Sequence, residues 1–249
     1  MSLVSIITAT YNSSTTILET YLSIKNQSYK NWEWIITDDC SVDNTVDIIR
    51  EIIKTDNRVR FFVNDVNSGA AVARNNSLNN VNGEYIAFID SDDLWSSDKL
   101  EKQIEFMVSN DIGFSFTGYG LIDISGADLK KSVDIKPIGK VSYFDMLKKK
   151  ATLGCSTVVL KKDKFDSISM PLIRTGQDYA LWLNLLKDNK YAYHLNENLM
   201  QYRIMPNSIS RNKFKKALRQ WEIYRDLENL PFLFSFKCFV FYAVRAILR

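Results

Sequence analysis

The sequence has little of several things, and each shortage excludes something. Three cysteines (Cys40, Cys155, Cys238) at scattered spacing provide neither a disulfide framework nor a zinc pattern. They read as reduced thiols. One histidine, His194, excludes a His-pair metalloprotease site and a His-rich metal cluster, and it reads as structural. Nine glycines and four prolines in 249 residues leave no room for long low-complexity linkers. No Gly-rich phosphate loop and no GxGxxG occurs, which removes P-loop and dinucleotide-binding readings. The opening "MSLVSIITATYN" has no basic n-region or cleavage site, so no secretory signal is expected. No internal repeat is found.

What is present describes a folded protein. The hydrophobic content is 46% and the formal charge is +3. That charge is uneven. Residues 212–249 hold eight basic and three acidic residues, a net of +5, which leaves −2 for the first 211. A basic end suggests a polyanionic surface as its partner. Nothing points to nucleic acid.

The first half alternates between two periods. "VSIITATY", "WEWIITDD", "VRFFVN" and "YIAFID" read as buried strands. Between and after them lie helical stripes: Ile17, Leu18, Tyr21 and Leu22; Val46, Ile49 and Ile53; residues 69–81; and Leu100, Ile104, Met107 and Val108. A βαβα series predicts a mostly parallel sheet wrapped by helices, with ligands at the carboxyl ends of its strands. Polar residues gather at those ends: Tyr11–Asn12, Asp38–Asp39, Asn64–Gly69 and Asp90–Asp93. After residue 110 the pattern is irregular. Strands are expected over 112–119 and 156–162, a helix over 177–189, and two short strands in "YAYHL" and "NLMQYR".

"FIDSDDLW" places three carboxylates in four positions after a strand. Desolvated carboxylates repel one another, and a hard divalent cation relieves this. Mg²⁺ keeps few protein ligands and completes its shell with water and phosphate oxygens. A solvated turn that caps the next helix explains the same residues, and both readings stand at this point.

Four segments, in order and at this spacing, resemble the family 2 glycosyltransferases of the GT-A fold: "VSIITATYN", "WEWIITDDCSVDNT", "NSGAAVARN" and "GEYIAFIDSDDLW". The likeness continues through "TGQDYALWL" and "YRIMPNSIS" and covers roughly residues 3–211. It is strongest to bacterial enzymes of capsular, O-antigen or teichuronic-type polysaccharide synthesis. The resemblance implies an α/β protein of the GT-A fold, with a Rossmann-like, mostly parallel central sheet flanked by helices. It divides the chain into a glycosyltransferase domain over 1–211 and a C-terminal helical extension over 212–249. Within the domain, 1–110 is the nucleotide half and 111–211 the acceptor half.

The resemblance also implies roles. Thr10, Tyr11, Asp38, Asp39, Asn67, Gly69, Arg74, Asp90 and Ser91 fall to the nucleotide of a UDP-sugar. A carboxylate there can accept the uracil N3 proton while an aromatic ring stacks on the base; turn capping is the bland alternative for Asp38 and Asp39. Asp92, with Asp90, falls to Mn²⁺ or Mg²⁺. Asp178 falls to the catalytic base, with Gln177 where relatives usually carry Glu. Loss of that like charge would lower the base's pKa slightly. Trp95, Gly154, Cys155, Gln177, Arg203, Ser208 and Arg211 fall to the acceptor or diphosphate. Met205 stands where many relatives have histidine.

The expected activity is a metal-dependent, inverting transfer from a UDP-sugar to a hydroxyl of a saccharide acceptor, lipid-linked, in surface polysaccharide synthesis. The alternatives are a catalytically inactive sugar-nucleotide-binding relative and a DxD phosphatase; against the latter stands Leu94, where that motif wants Thr or Val. In "LPFLFSFKCFVFYAVRAILR", Lys237, Arg245 and Arg249 fall within roughly 120° of arc at about 100° per residue. An in-plane amphipathic helix fits better than a spanning one. The expected location is the cytoplasmic face of the cell membrane, bound peripherally, with the domain's own core or a homodimer interface as competing partners for the tail.

Overall fold

The computed structural model describes residues 1–188, 190–205 and 213–248. The first half alternates as expected: β1 (Val4–Thr10), α1 (Ile17–Lys25), β2 (Trp32–Asp38), α2 (Thr45–Thr55), β3 (Val59–Val63), α3 (Ala70–Leu78) and β4 (Tyr85–Phe88). A two-residue strand β5 (Leu94–Trp95) precedes α4 (Lys99–Ser109). The second half holds β6 (Phe114–Ile122), β7 (Asp128–Val133), β8 (Lys140–Ser142), α5 (Tyr143–Leu147), β9 (Val159–Lys161), α6 (Gln177–Leu185) and β10 (Tyr191–Arg203). The tail forms α7 (Lys213–Glu222), a π-helical turn (Ile223–Leu227) and α8 (Phe232–Leu248).

Among the described residues the strands form one ten-stranded sheet in the order β3-β2-β1-β4-β9-β6-β10-β5, with β7 on β6 and β8 on β10. β3, β2, β1 and β4 run parallel. β9 is antiparallel to both β4 and β6, and β6 and β10 are again parallel. The architecture is mixed α/β, with a large central sheet flanked by helices, in line with the fold the resemblance implies. β2 is buried at every position, polar Glu33, Thr37 and Asp38 included, as befits a strand covered on both faces. Side-chain alternation then divides the core. Ile7, Ile35 and Phe88 face one cluster; Ile6, Trp34 and Ile36 face the other.

Three differences from the sequence reading have physical causes. The two short strands expected in 191–203 are one strand, β10, with register shifts between Leu195 and Asn198 and between Asn198 and Gln201. The interruptions break the period that sequence reading relies on. The helix expected to reach residue 189 ends at Leu185. β7, exposed along most of its length, carries no apolar alternation to announce it.

Because β1, β2 and β3 are parallel and nearly in register, Thr10, Asp38 and Val63 end side by side. β4 adds the segment from Ile89 onward. One rim therefore receives the polar ends of four strands.

Candidate active site

The first part of the rim is built around Asp39. Its carboxylate accepts Asn64 Nδ2 at 2.8 Å and the backbone N–H groups of Ser68 (2.9 Å) and Gly69 (2.7 Å). Asn67 donates to the Asp39 carbonyl at 3.0 Å. Asp39 thus fastens the 64–69 loop to the end of β2 and sits at the start of α3, where a negative charge is favoured. Gly69 has φ +92, in the left-handed region that glycine adopts without strain, and open space lies where a Cβ would be. A carboxylate offers about four acceptor positions, so Asp39 keeps one beyond these three bonds. Tyr11 stands beside it with 49% of its surface exposed. The Thr10 hydroxyl is buried with no hydrogen-bond partner.

Asp38 is fully buried, and it accepts the Ser41 N–H at 2.8 Å and the Ser41 hydroxyl at 2.5 Å. It holds the turn after β2, the capping alternative for this residue.

The second part is the loop after β4. Asp90 accepts Arg74 Nη2 at 2.5 Å and donates its backbone N–H to Ser156 Oγ at 2.9 Å. Ser91 shares a 2.8 Å hydroxyl contact with Ser13, and its carbonyl accepts Thr16 Oγ1. Burial, and then the Asp90 charge, push the Asp92 carboxyl up to about 6. Asp93 is buried; Ser156 Oγ donates to it at 2.6 Å and the Arg203 N–H at 3.0 Å. Burial, with Asp92 and Asp90 adding, raises its pKa well above the usual carboxylate range. Asp93 is therefore a tie between three segments.

The Arg203 side chain is 1% exposed. Its Nε donates to the Asp92 carbonyl (2.9 Å), Nη1 to the Ile124 carbonyl (3.0 Å) and Nη2 to Glu19 (2.6 Å). It clamps the acidic loop to Glu19 and to the 123–124 turn. Trp95 lies in the core, with its indole N–H on the Ser156 carbonyl at 2.8 Å and the Lys99 ammonium 4.4 Å from its ring. Ser208 and Arg211 lie outside the described residues.

The third part comes from the other half of the chain. Asp178 occupies the first turn of α6, after Gly176 in the left-handed region (φ 74). Burial raises its pKa; Arg74 and the Tyr179 N–H oppose the rise, and Asp90 adds to it. Gln177 is buried. Cys155 opens a short 3-10 turn (Cys155–Thr157) after Gly154, whose carbonyl accepts Thr157 Oγ1. Burial raises the Cys155 thiol far up, with Arg74 opposing.

Arg74 joins these groups. It is buried on α3; burial opposes its charge, but Cys155, Asp90 and Asp178 together hold its pKa above the ordinary arginine value. Residues from α3, the β4 loop, the 3-10 turn and α6 thus share one electrostatic environment. Sequence reading missed Ser156, which links Asp90 to Asp93, and Lys216 on α7, which lies in electrostatic range of Asp178. Ser156 stands in a segment that sequence reading had marked; nothing in the sequence pairs Lys216 with α6.

The donor set at Asp90 and Asp92 suits Mg²⁺ or Mn²⁺. It offers two hard oxygen ligands whose mutual repulsion a cation relieves, and no cluster of three or more His, Cys, Asp or Glu occurs among the described residues. An ion that fills its shell with water and phosphate needs no third protein ligand.

The profile described as "Glycosyl transferase family 2" matches residues 5–166. Over 98% of this chain and 96% of its own, the Bacillus subtilis protein TuaG, a glycosyltransferase named for teichuronic acid biosynthesis, is 46% identical. The Escherichia coli UDP-Glc:alpha-D-GlcNAc-diphosphoundecaprenol beta-1,3-glucosyltransferase WfgD is 39% identical over 92% of this chain and 88% of its own. Among solved structures, S. aureus TarS 1-349 in complex with UDP-GlcNAc superposes with a TM-score of 0.72 at 19% identity, over 90% of this chain and 65% of that one. The Pyrobaculum calidifontis mannosyltransferase PcManGT with GDP-Man and Mn²⁺ gives 0.66 at 17% identity, over 89% and 61%.

Proposed function

The chain belongs to glycosyl transferase family 2 and is a glycosyltransferase, and from that premise we propose that it transfers a sugar from a UDP-sugar, with inversion, to a hydroxyl of a lipid-linked saccharide in bacterial surface polysaccharide synthesis. One observation carries the reading: Asp178, from the far half of the chain, shares its environment with Arg74 and with Asp90 of the acidic loop. A base for the acceptor and a cluster for the donor meet at one point. UDP as the donor nucleotide and a diphosphate-linked acceptor are also what the relatives' names describe.

The residues divide the work. Tyr11 offers a ring for the base, and the free acceptor position of Asp39 takes a base N–H. Residues 1–110 hold the nucleotide, and 111–211 shape the acceptor side. Asp90 and Asp92 would hold the divalent metal, whose charge, when bound, offsets that of the departing diphosphate. Asp178 takes the proton from the acceptor hydroxyl as its oxygen attacks the anomeric carbon. A carboxylate raised by burial is a stronger base than a solvated one, which suits proton abstraction near neutral pH. A single displacement inverts the anomeric centre.

The tail carries the membrane reading. Ile223, Tyr224 and Cys238 are buried in the main core. The opposite side of α8 leaves Phe232, Leu233, Phe236, Val240, Phe241 and Val244 exposed, with Lys237 among them. Among the described residues, no helix is long and apolar enough to cross a membrane. An apolar face with a basic residue on it suits an in-plane contact with anionic lipid, on the cytoplasmic side where the UDP-sugar is.

Asp178→Asn tests the centre. It is expected to keep UDP binding and to lose transfer by about 10² to 10⁴-fold. Near-normal turnover overturns the assignment, and donor binding without transfer by the wild type favours the inactive-relative reading. For the tail, flotation with anionic vesicles at low salt is the check. A protein that ignores them and sediments as a dimer gives the face to a second copy.

A further inference from the structure

The acidic loop and Arg74 pose a question of order. Arg74 Nη2 holds Asp90 at 2.5 Å, and both side chains are mostly buried. A divalent cation and this guanidinium want the same carboxylate. Two like charges in such a site repel, and burial weakens the screening that would hide it.

Arg74 is under-used by the protein. Among the described residues its Nε has no hydrogen-bond partner, and Nη1 meets the Met170 sulfur at 3.9 Å. A buried donor left without an acceptor is costly. These unfilled N–H groups belong to a fork that matches phosphate oxygens. The side chain is thus paired with the acidic loop through Nη2, while Nε, buried, and Nη1 have no oxygen acceptor among the described residues.

We infer that Arg74 is the resident counter-cation of the acidic loop, so that a divalent cation binds tightly only together with a nucleoside diphosphate. Alone, the cation meets Arg74 already on Asp90. With a diphosphate present, the guanidinium gains a second anion, and its hold on Asp90 is relaxed. The inference rests on the metal and donor reading above and adds an order to it: the rim is closed to free metal until the donor arrives.

Mn²⁺ binding tests this at pH 8, followed by the electron paramagnetic resonance of free Mn²⁺, in the wild type, Arg74→Gln and Arg74→Lys, with and without UDP. Wild type is expected to bind Mn²⁺ weakly alone and far more tightly with saturating UDP. Arg74→Gln is expected to bind Mn²⁺ alone about tenfold more tightly than wild type, because a like charge has gone. Its gain from UDP should shrink by a similar factor. Arg74→Lys keeps the charge and should bind Mn²⁺ alone weakly. Arg74→Gln binding Mn²⁺ alone no better than wild type overturns the inference and leaves the metal reading intact. No Mn²⁺ binding to any of the proteins, with or without UDP, overturns the metal reading and the inference with it. Should the neutral variant fail to fold, wild-type crystals soaked in Mn²⁺ alone decide the matter. An anomalous peak on Asp90 with Arg74 still at the site overturns it; a peak that appears only with UDP, with Arg74 on a phosphate oxygen, supports it.

Discussion

Two strand ends on the same rim carry paired aspartates, and the pairs behave differently. After β2, Asp38 and Asp39 accept hydrogen bonds from their own surroundings: Ser41, Asn64, Ser68 and Gly69. After β4, Asp90 has one guanidinium, and the carboxyl of Asp92 is pushed up by burial and by its neighbour. The first pair is charge stabilised by local N–H donors. The second is charge left facing the rim. Position at a strand end does not distinguish them; the supply of donors does. Asp93 shows that the difference is finer than a loop. One residue beyond Asp92, it is buried and bonded to Ser156 and Arg203.

The comparison can be broken by substitution. Asp92→Asn should raise the melting temperature at neutral pH, because it removes a desolvated charge beside Asp90, and lower transfer by about a thousandfold, several kcal/mol of transition-state stabilisation. Retained activity in a chelator-treated transfer assay would put Asp92 with the structural pair. Arg203→Ala should do the reverse in kind. It leaves Glu19 and the Asp92 carbonyl without their clamp, and a loss of about 3–5 kcal/mol is expected in urea unfolding. A variant as stable as wild type, yet weak in UDP binding, would return Arg203 to the diphosphate. Asp38→Asn should cost about 1–3 kcal/mol and spare the KM for the donor, since its bonds stay inside the turn. A raised KM with unchanged stability would place Asp38 on the base.

The smallest effect is a pH dependence. Asp92 titrates near 6 when folded, above its unfolded value. Folding therefore favours its protonated form, so its contribution to stability grows as pH falls from about 7 toward 4. Activity moves the other way, because a protonated carboxyl holds no cation. An acid limb in kcat/KM with a midpoint near 6, absent from the metal-free stability curve of Asp92→Asn, would sharpen the contrast.

Much of the first half was legible, because buried parallel strands read as apolar runs and their helices as 3.6-residue stripes. Asp39, Arg74, Asp90 and Asp178 were marked before the structure placed Arg74 beside Asp90 and Asp178. What Arg203 and Trp95 are bonded to is not legible in the sequence, for a shared reason: a polar or aromatic residue near a motif looks available until its partners are seen. Arg203 is satisfied by carbonyls at 92 and 124 and by Glu19, groups far apart in the chain. The tail was legible as apolar and basic. Which of its faces the core covers depended on Tyr224 and Cys238 docking into the main cluster.

The sequence by itself determined the alternation of strands and helices, the rim to which polar residues go, and the identity of the charged groups there. Those properties are local, set by periodicity and by residue chemistry along a few adjacent turns. Only the tertiary structure decided which charges are satisfied and which remain open, because a carboxylate's partners come from segments tens of residues away. Burial and donor supply are properties of that assembly, and they separate an aspartate that holds a turn from one that waits for a ligand.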